Sequence, residues 1–144
     1  PPCIISLEDA ATVPARELIQ SASGENWAAI MDQVVNTTKA LTTSNDAAFL
    51  SSIGTISLAL KDLETSGLLT KLGFNGNPNP FAWTLTHSGE IPDGVLSADA
   101  RAFLVSKVYP RLLEADTQLG RIADKNFVTP FPSSNLSDAE GPCG

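Results

Sequence analysis

His87 is the single histidine in the chain, and Ser88 follows it directly. A histidine within hydrogen-bond reach of a reacting group serves as general base or acid, but adjacency in sequence does not make a dyad. No second histidine and no G-x-S-x-G turn accompanies the pair. Hydrolysis or isomerisation by His87 with Glu90 or Asp93 is therefore the weakest of three functional readings. Asn75, Asn77 and Asn79 alternate as calcium-loop ligands do, yet Pro78 and Pro80 interrupt them, none carries charge, and the twelfth position is Thr86 where a calcium loop needs Glu. They read as turn formers around prolines. Acidic residues cluster as Glu8-Asp9, Asp62 with Glu64, Glu90 with Asp93 and Glu114 with Asp116. A glycosidase needs two acids held across a cleft, which such short spacings do not establish, so these read as solvated faces. Zinc spacings and phosphate-cradling glycine motifs are lacking; no metal and no cofactor is expected.

The chain's two cysteines, Cys3 and Cys143, stand at opposite ends, a separation that fits neither zinc nor redox spacing. The expected pairing is one disulfide joining the termini, which the loop-closure model credits with about 5 kcal/mol. Such bonds persist outside the cytosol, so the expected location is extracytoplasmic: secreted, or in an oxidising compartment or organelle lumen. A chain opening Pro1-Pro2-Cys3 carries no basic-then-apolar leader, as expected of a mature product. Asn36 and Asn135 each begin an N-x-S/T triplet and are possible glycosylation sites.

Composition narrows the classes further. The 144 residues suit one domain (1–144), with 42% hydrophobic residues for a core but only 17% charged ones. Net charge is −7 and the nine Lys and Arg are scattered, so no basic stripe exists to neutralise phosphates and nucleic acid is not an expected partner. The longest weakly charged apolar run, Ala47 to Leu60, is broken by Ser51, Ser52, Gly54, Thr55 and Ser57 and is too short and polar to span a bilayer.

Helical periodicity organises the rest. Ser6 with Asp9 makes a capping-box pattern, and Pro14 is placed to open a short helix through Arg16, Leu18 and Ile19. From Glu25 to Leu41, with Ser23 as N-cap, Trp27, Ile30, Met31, Val34, Thr38 and Leu41 fall on one helix face. From Asp46 to Ser66, Phe49, Ile53, Ile56, Leu60 and Leu63 repeat as a bundle seam, and Gly67 closes the helix as a left-handed cap. From Ser97 to about Lys125, Ala100, Leu104, Val108, Leu112, Ala115, Leu119 and Ile122 continue the pattern, with Pro110 bending or dividing the helix. The expected fold is all-α: an up-and-down four-helix bundle with a short N-terminal helix. Residues 73–96 form an ordered loop, in which Phe81, Trp83 and Leu85 alternate as one apolar face laid over the bundle. Residues 128–144, rich in proline, run as an extended strap.

Between Ala40 and Leu60 the one charge is Asp46, and the side of the third helix opposite its seam offers Ser51, Ser52, Gly54, Thr55 and Ala59. An exposed helix face normally carries charge; small neutral residues let another surface come close, whether a neighbouring helix of the same chain, a partner subunit, or an elongated apolar ligand between helices. The first reading is a non-enzymatic accessory subunit that docks on a protein partner or larger assembly through this face and the loop bearing Phe81, Trp83 and His87. The alternative is a carrier of an apolar small molecule or lipid within the bundle.

Overall fold

The computed structural model describes residues 7–90, 97–124 and 126–129. These residues are mostly helical, in the order α1 (Leu7–Gln20), α2 (Trp27–Thr38), α3 (Asn45–Ser66), α4 (Leu68–Lys71), β1 (Phe74–Asn75), β2 (Thr86–His87), α5 (Ser97–Phe103), a π-turn (Leu104–Val108) and α6 (Tyr109–Leu119). Cys3, Cys143, Asn135 and Ile91, and with them the terminal bridge and most of the strap, lie outside the described residues.

Several boundaries follow from local chemistry. Helix α1 runs through Pro14 instead of opening at it: the residue lies on the exposed side, as does Ala10, whose carbonyl a proline at this position cannot bond and which solvent can reach. Helix α2 starts two residues late, with Asn26 at the cap, because Asn26 Oδ1 accepts from the Ser23 amide at 2.6 Å and from its hydroxyl at 3.1 Å. That interaction folds Ser23 into the preceding turn. In α3 the Ser44 hydroxyl accepts from the Ala47 amide at 3.0 Å, and Gly67 ends the helix with φ 71°, the left-handed cap expected. Pro110 divides the last helix as anticipated, the chain answering its missing N–H with a π-turn just before it.

The core belongs to three helices. Ala15 and Ile19 of α1 and Ala22 beyond it meet Trp27, Ile30, Met31, Val34 and Val35 of α2 and Leu50 and Leu58 of α3. The α2 face legible in the sequence is this core face. Helix α6 does not join it: it packs along α3 and makes no comparable contact with α1 or α2. The Ser52 hydroxyl bonds the Ala115 carbonyl at 3.1 Å, and ten residues further along α3 Asp62 accepts from Arg111 Nε at 2.5 Å, so the two helices run antiparallel. Helix α3 is therefore central, with α2 on one flank and α6 on the other. Its small residues, not its expected seam, face the neighbours. At Gly54 an added Cβ would lie 2.7 Å from Val35 Cγ2 and 3.2 Å from the Met31 carbonyl oxygen, so only glycine admits α2 this closely. Consequently Phe49, Ile53, Leu60 and Leu63 are half-buried and Ile56 is exposed.

Candidate docking surface

The Ser51, Ser52, Gly54 and Thr55 face is closed within the chain. All four residues are buried, so the surface expected to receive a partner is the packing surface for α2 and α6. The reason is geometric: small side chains permit close approach, and the chain's own helices make it. Two hydroxyls there, Ser51 Oγ and Thr55 Oγ1, one helical turn apart, are buried without a hydrogen-bond partner among the described residues.

The 73–90 loop is a fastened structure rather than a flat lid. Strands β1 and β2 pair antiparallel, Phe74 with His87 and Asn75 with Thr86. Asn79 is buried: its Nδ2 donates to the Gly24 carbonyl at 2.8 Å and its Oδ1 accepts from the Phe81 amide at 2.9 Å. Phe81 packs half-buried against the core. Trp83, expected to face inward beside it, is 57% exposed; the turn that Asn79 closes, where the Ala82 amide bonds its carbonyl at 3.1 Å, breaks the two-residue alternation between them. Asn79 thus does more than form a turn, since it ties the loop to the α1–α2 connection.

His87 is committed to the backbone at both nitrogens. Nδ1 accepts from the Gly89 amide at 3.0 Å, which leaves the proton on Nε2 to be donated to the Leu72 carbonyl at 2.9 Å. The ring also stands edge-on to Phe74, 4.6 Å between centroids. This imidazole clasps the base of the hairpin, and neither nitrogen is presented to a substrate. No group of three or more metal-ligating side chains occurs among the described residues, and no described helix is long and apolar enough to cross a membrane. Asn36 is exposed on α2, its amide donating to Asp32 at 3.3 Å, whereas Thr38 of the same triplet is buried with its hydroxyl on the Val34 carbonyl at 2.7 Å.

One polar cluster escaped the sequence reading. The Asp46 carboxylate, 1% exposed, is ion-paired with Arg16 of α1 and accepts from the hydroxyls of Thr12 and Thr129, while Arg16 also donates to Thr129. Burial alone raises the Asp46 pKa, but the hydrogen bonds from Arg16, Thr12 and Thr129 and the Arg16 charge outweigh it and hold the carboxyl below its ordinary value. The only charge in a twenty-residue neutral stretch was the available signal. Its partners, 34, 30 and 83 residues away, carried none.

What remains open is the outer side of the last helical segment. Leu104, Val105, Tyr109, Leu112, Leu113 and Leu119 are all exposed, Val105 at 57% and Tyr109 at 55%. Leu104–Val105 and Leu112–Leu113 are adjacent pairs eight residues apart, with Tyr109 between them. In an unbroken α-helix of 3.6 residues per turn such pairs drift around the axis; the wider i→i+5 turn at Leu104–Val108 holds that drift back and keeps them on one side. A monomer rarely exposes so long an apolar stripe without using it. No protein-family model, curated protein or solved structure matches the chain.

Proposed function

We propose that this chain is a non-enzymatic, extracytoplasmic docking module, and that the surface it offers to a protein partner is the exposed apolar side of α5, the π-turn and α6. The observation that carries the reading is that Leu104, Leu112 and Leu119 of the expected seam, together with Val105, Tyr109 and Leu113, are exposed and lie outside the core that α1, α2 and α3 complete. A partner helix laid along them restores the four-helix packing that the sequence pattern anticipates, in the manner of an amphipathic helix received by an apolar groove. The terminal bridge gains support from the Arg16–Asp46–Thr129 cluster: the chain beyond α6 returns to α1, the helix that follows the segment bearing Cys3. Native mass spectrometry of protein isolated from its source tests the reading. The expected spectrum shows a complex heavier than one chain and no free thiol, and Leu112→Asp shifts it to the single chain; a single-chain mass for the unaltered protein at every concentration up to the most concentrated sample refutes it.

A second reading, an apolar carrier, rests on Ser51 Oγ and Thr55 Oγ1. Two interior hydroxyls without a partner among the described residues suit the polar end of an otherwise apolar molecule. Organic extraction of native protein that yields a stoichiometric lipid would favour it over docking.

A further inference from the structure

We infer that the occupant of the open face is a second copy of this chain, paired through the last helical segment in an antiparallel arrangement about a twofold axis. The inference rests on the docking reading of that face and names the partner. Symmetry is the argument. A twofold axis passing between Val108 and Tyr109 sets Leu104 of each copy opposite Leu113 of the other and Val105 opposite Leu112, so these four exposed apolar positions meet apolar ones, and Tyr109 meets the half-buried Val108. The same operation carries Arg101 onto Asp116 at both ends. Arg101 and Asp116 are exposed, and neither forms an ion pair with another described residue. An isologous contact needs a self-complementary patch, and an apolar centre bounded by opposite charges, basic toward the start of the segment and acidic toward its end, is self-complementary only in the antiparallel sense. A parallel pairing would set Arg101 against Arg101 and Asp116 against Asp116. The π-turn makes the match possible, because it brings the residues before it into line with Tyr109, Leu112 and Asp116. One helix from each copy makes a small interface, below about 1,200 Å², so the association is weak and concentration-dependent.

Sedimentation equilibrium of the purified full chain, from about 1 µM to about 1 mM, spans the affinities expected of such a contact. The expected result is monomer at the low end and dimer at the high end. Leu112→Asp should raise the dissociation constant by at least tenfold. Asp116→Arg alone and Arg101→Asp alone should each weaken the dimer, and the two together should restore it, since the swapped pair is again complementary; circular dichroism of each variant confirms the fold. A monomer at every concentration overturns self-pairing. So does a double variant that stays as weak as the singles, because the register argued here requires restoration. Neither result touches the docking reading, which the mass of the native complex measures independently.

Discussion

Replacing Gly54 with Ala puts the central contact of the fold to a direct test. In an exposed helix interior this change gains about 1 kcal/mol, because alanine loses less backbone freedom than glycine. Here the new methyl would sit 2.7 Å from Val35 Cγ2 and 3.2 Å from the Met31 carbonyl oxygen. Val35 is β-branched on a helix and has essentially one rotamer; the Met31 carbonyl is backbone and moves only if α2 moves. Overpacking of this kind costs about 1 to 3 kcal/mol. The net expectation is a loss of up to about 2 kcal/mol, which for a chain of this size lowers the melting temperature by up to about 8 °C. Thermal and urea denaturation of Gly54→Ala, Val35→Ala and the double variant form a cycle. The coupling should favour the double variant by about 1 kcal/mol or more, since the shortened side chain makes room for the methyl. A Gly54→Ala protein that melts higher than the parent would refute the close approach of α2 to α3.

Four other outcomes follow from the geometry. Because Asp46 titrates below its ordinary value in the folded protein, its contribution is complete above the unfolded pKa of about 3.9 and is lost as pH falls through the folded one; urea melts from pH 7 to 2 should show that acid limb flattened in Asp46→Asn, which should also cost about 3 kcal/mol at pH 7 by leaving Arg16 unpaired. Thr55→Val removes an unpartnered buried hydroxyl and should stabilise by about 1 kcal/mol, so a destabilised variant measured by the same melts would show that the hydroxyl has a partner. Trp83→Ala should change stability by less than about 0.5 kcal/mol, and in a Trp27→Phe background Trp83 emission should be red-shifted and freely quenched by acrylamide; a blue-shifted, protected indole would contradict its exposure. His87→Ala should loosen the hairpin, read as faster amide exchange at Gly89, and unchanged exchange there would deny the clasp.

The sequence shows the buried face of α2 because Trp27, Ile30, Met31 and Val34 sit at an unbroken helical spacing, with small Ala28 and Ala29 and polar Asp32 and Gln33 between them, and burial follows from that pattern alone. It misleads at α3. Phe49, Ile53, Ile56 and Leu60 make the strongest seam in the chain, yet close packing on two flanks is set by where Gly54 and Ser52 allow backbones to approach, and hydrophobicity ranks those residues last. The same blindness affects the last helix, whose leucines repeat as a core face does whether the matching surface lies in the same molecule or another one. In the loop, the proline-flanked asparagines are legible as turns. That Asn79 reaches Gly24 is not, because a bond across 55 residues leaves no local trace.

The Asp46 cluster has a consequence for how the chain is made. Arg16 and Asp46 are made before Thr129, which bonds both and is synthesised 83 residues after the carboxylate it completes. Until Thr129 emerges the carboxylate lacks one of its donors, so the junction of α1 and α3 gains its full set of hydrogen bonds only after α6 has been made. Contacts of such long sequence separation form late, because the loop they close is large. The nascent protein therefore carries its three-helix core with that junction incomplete until Thr129 arrives, and the segment after α6 acts as a latch made later than the helices it fastens.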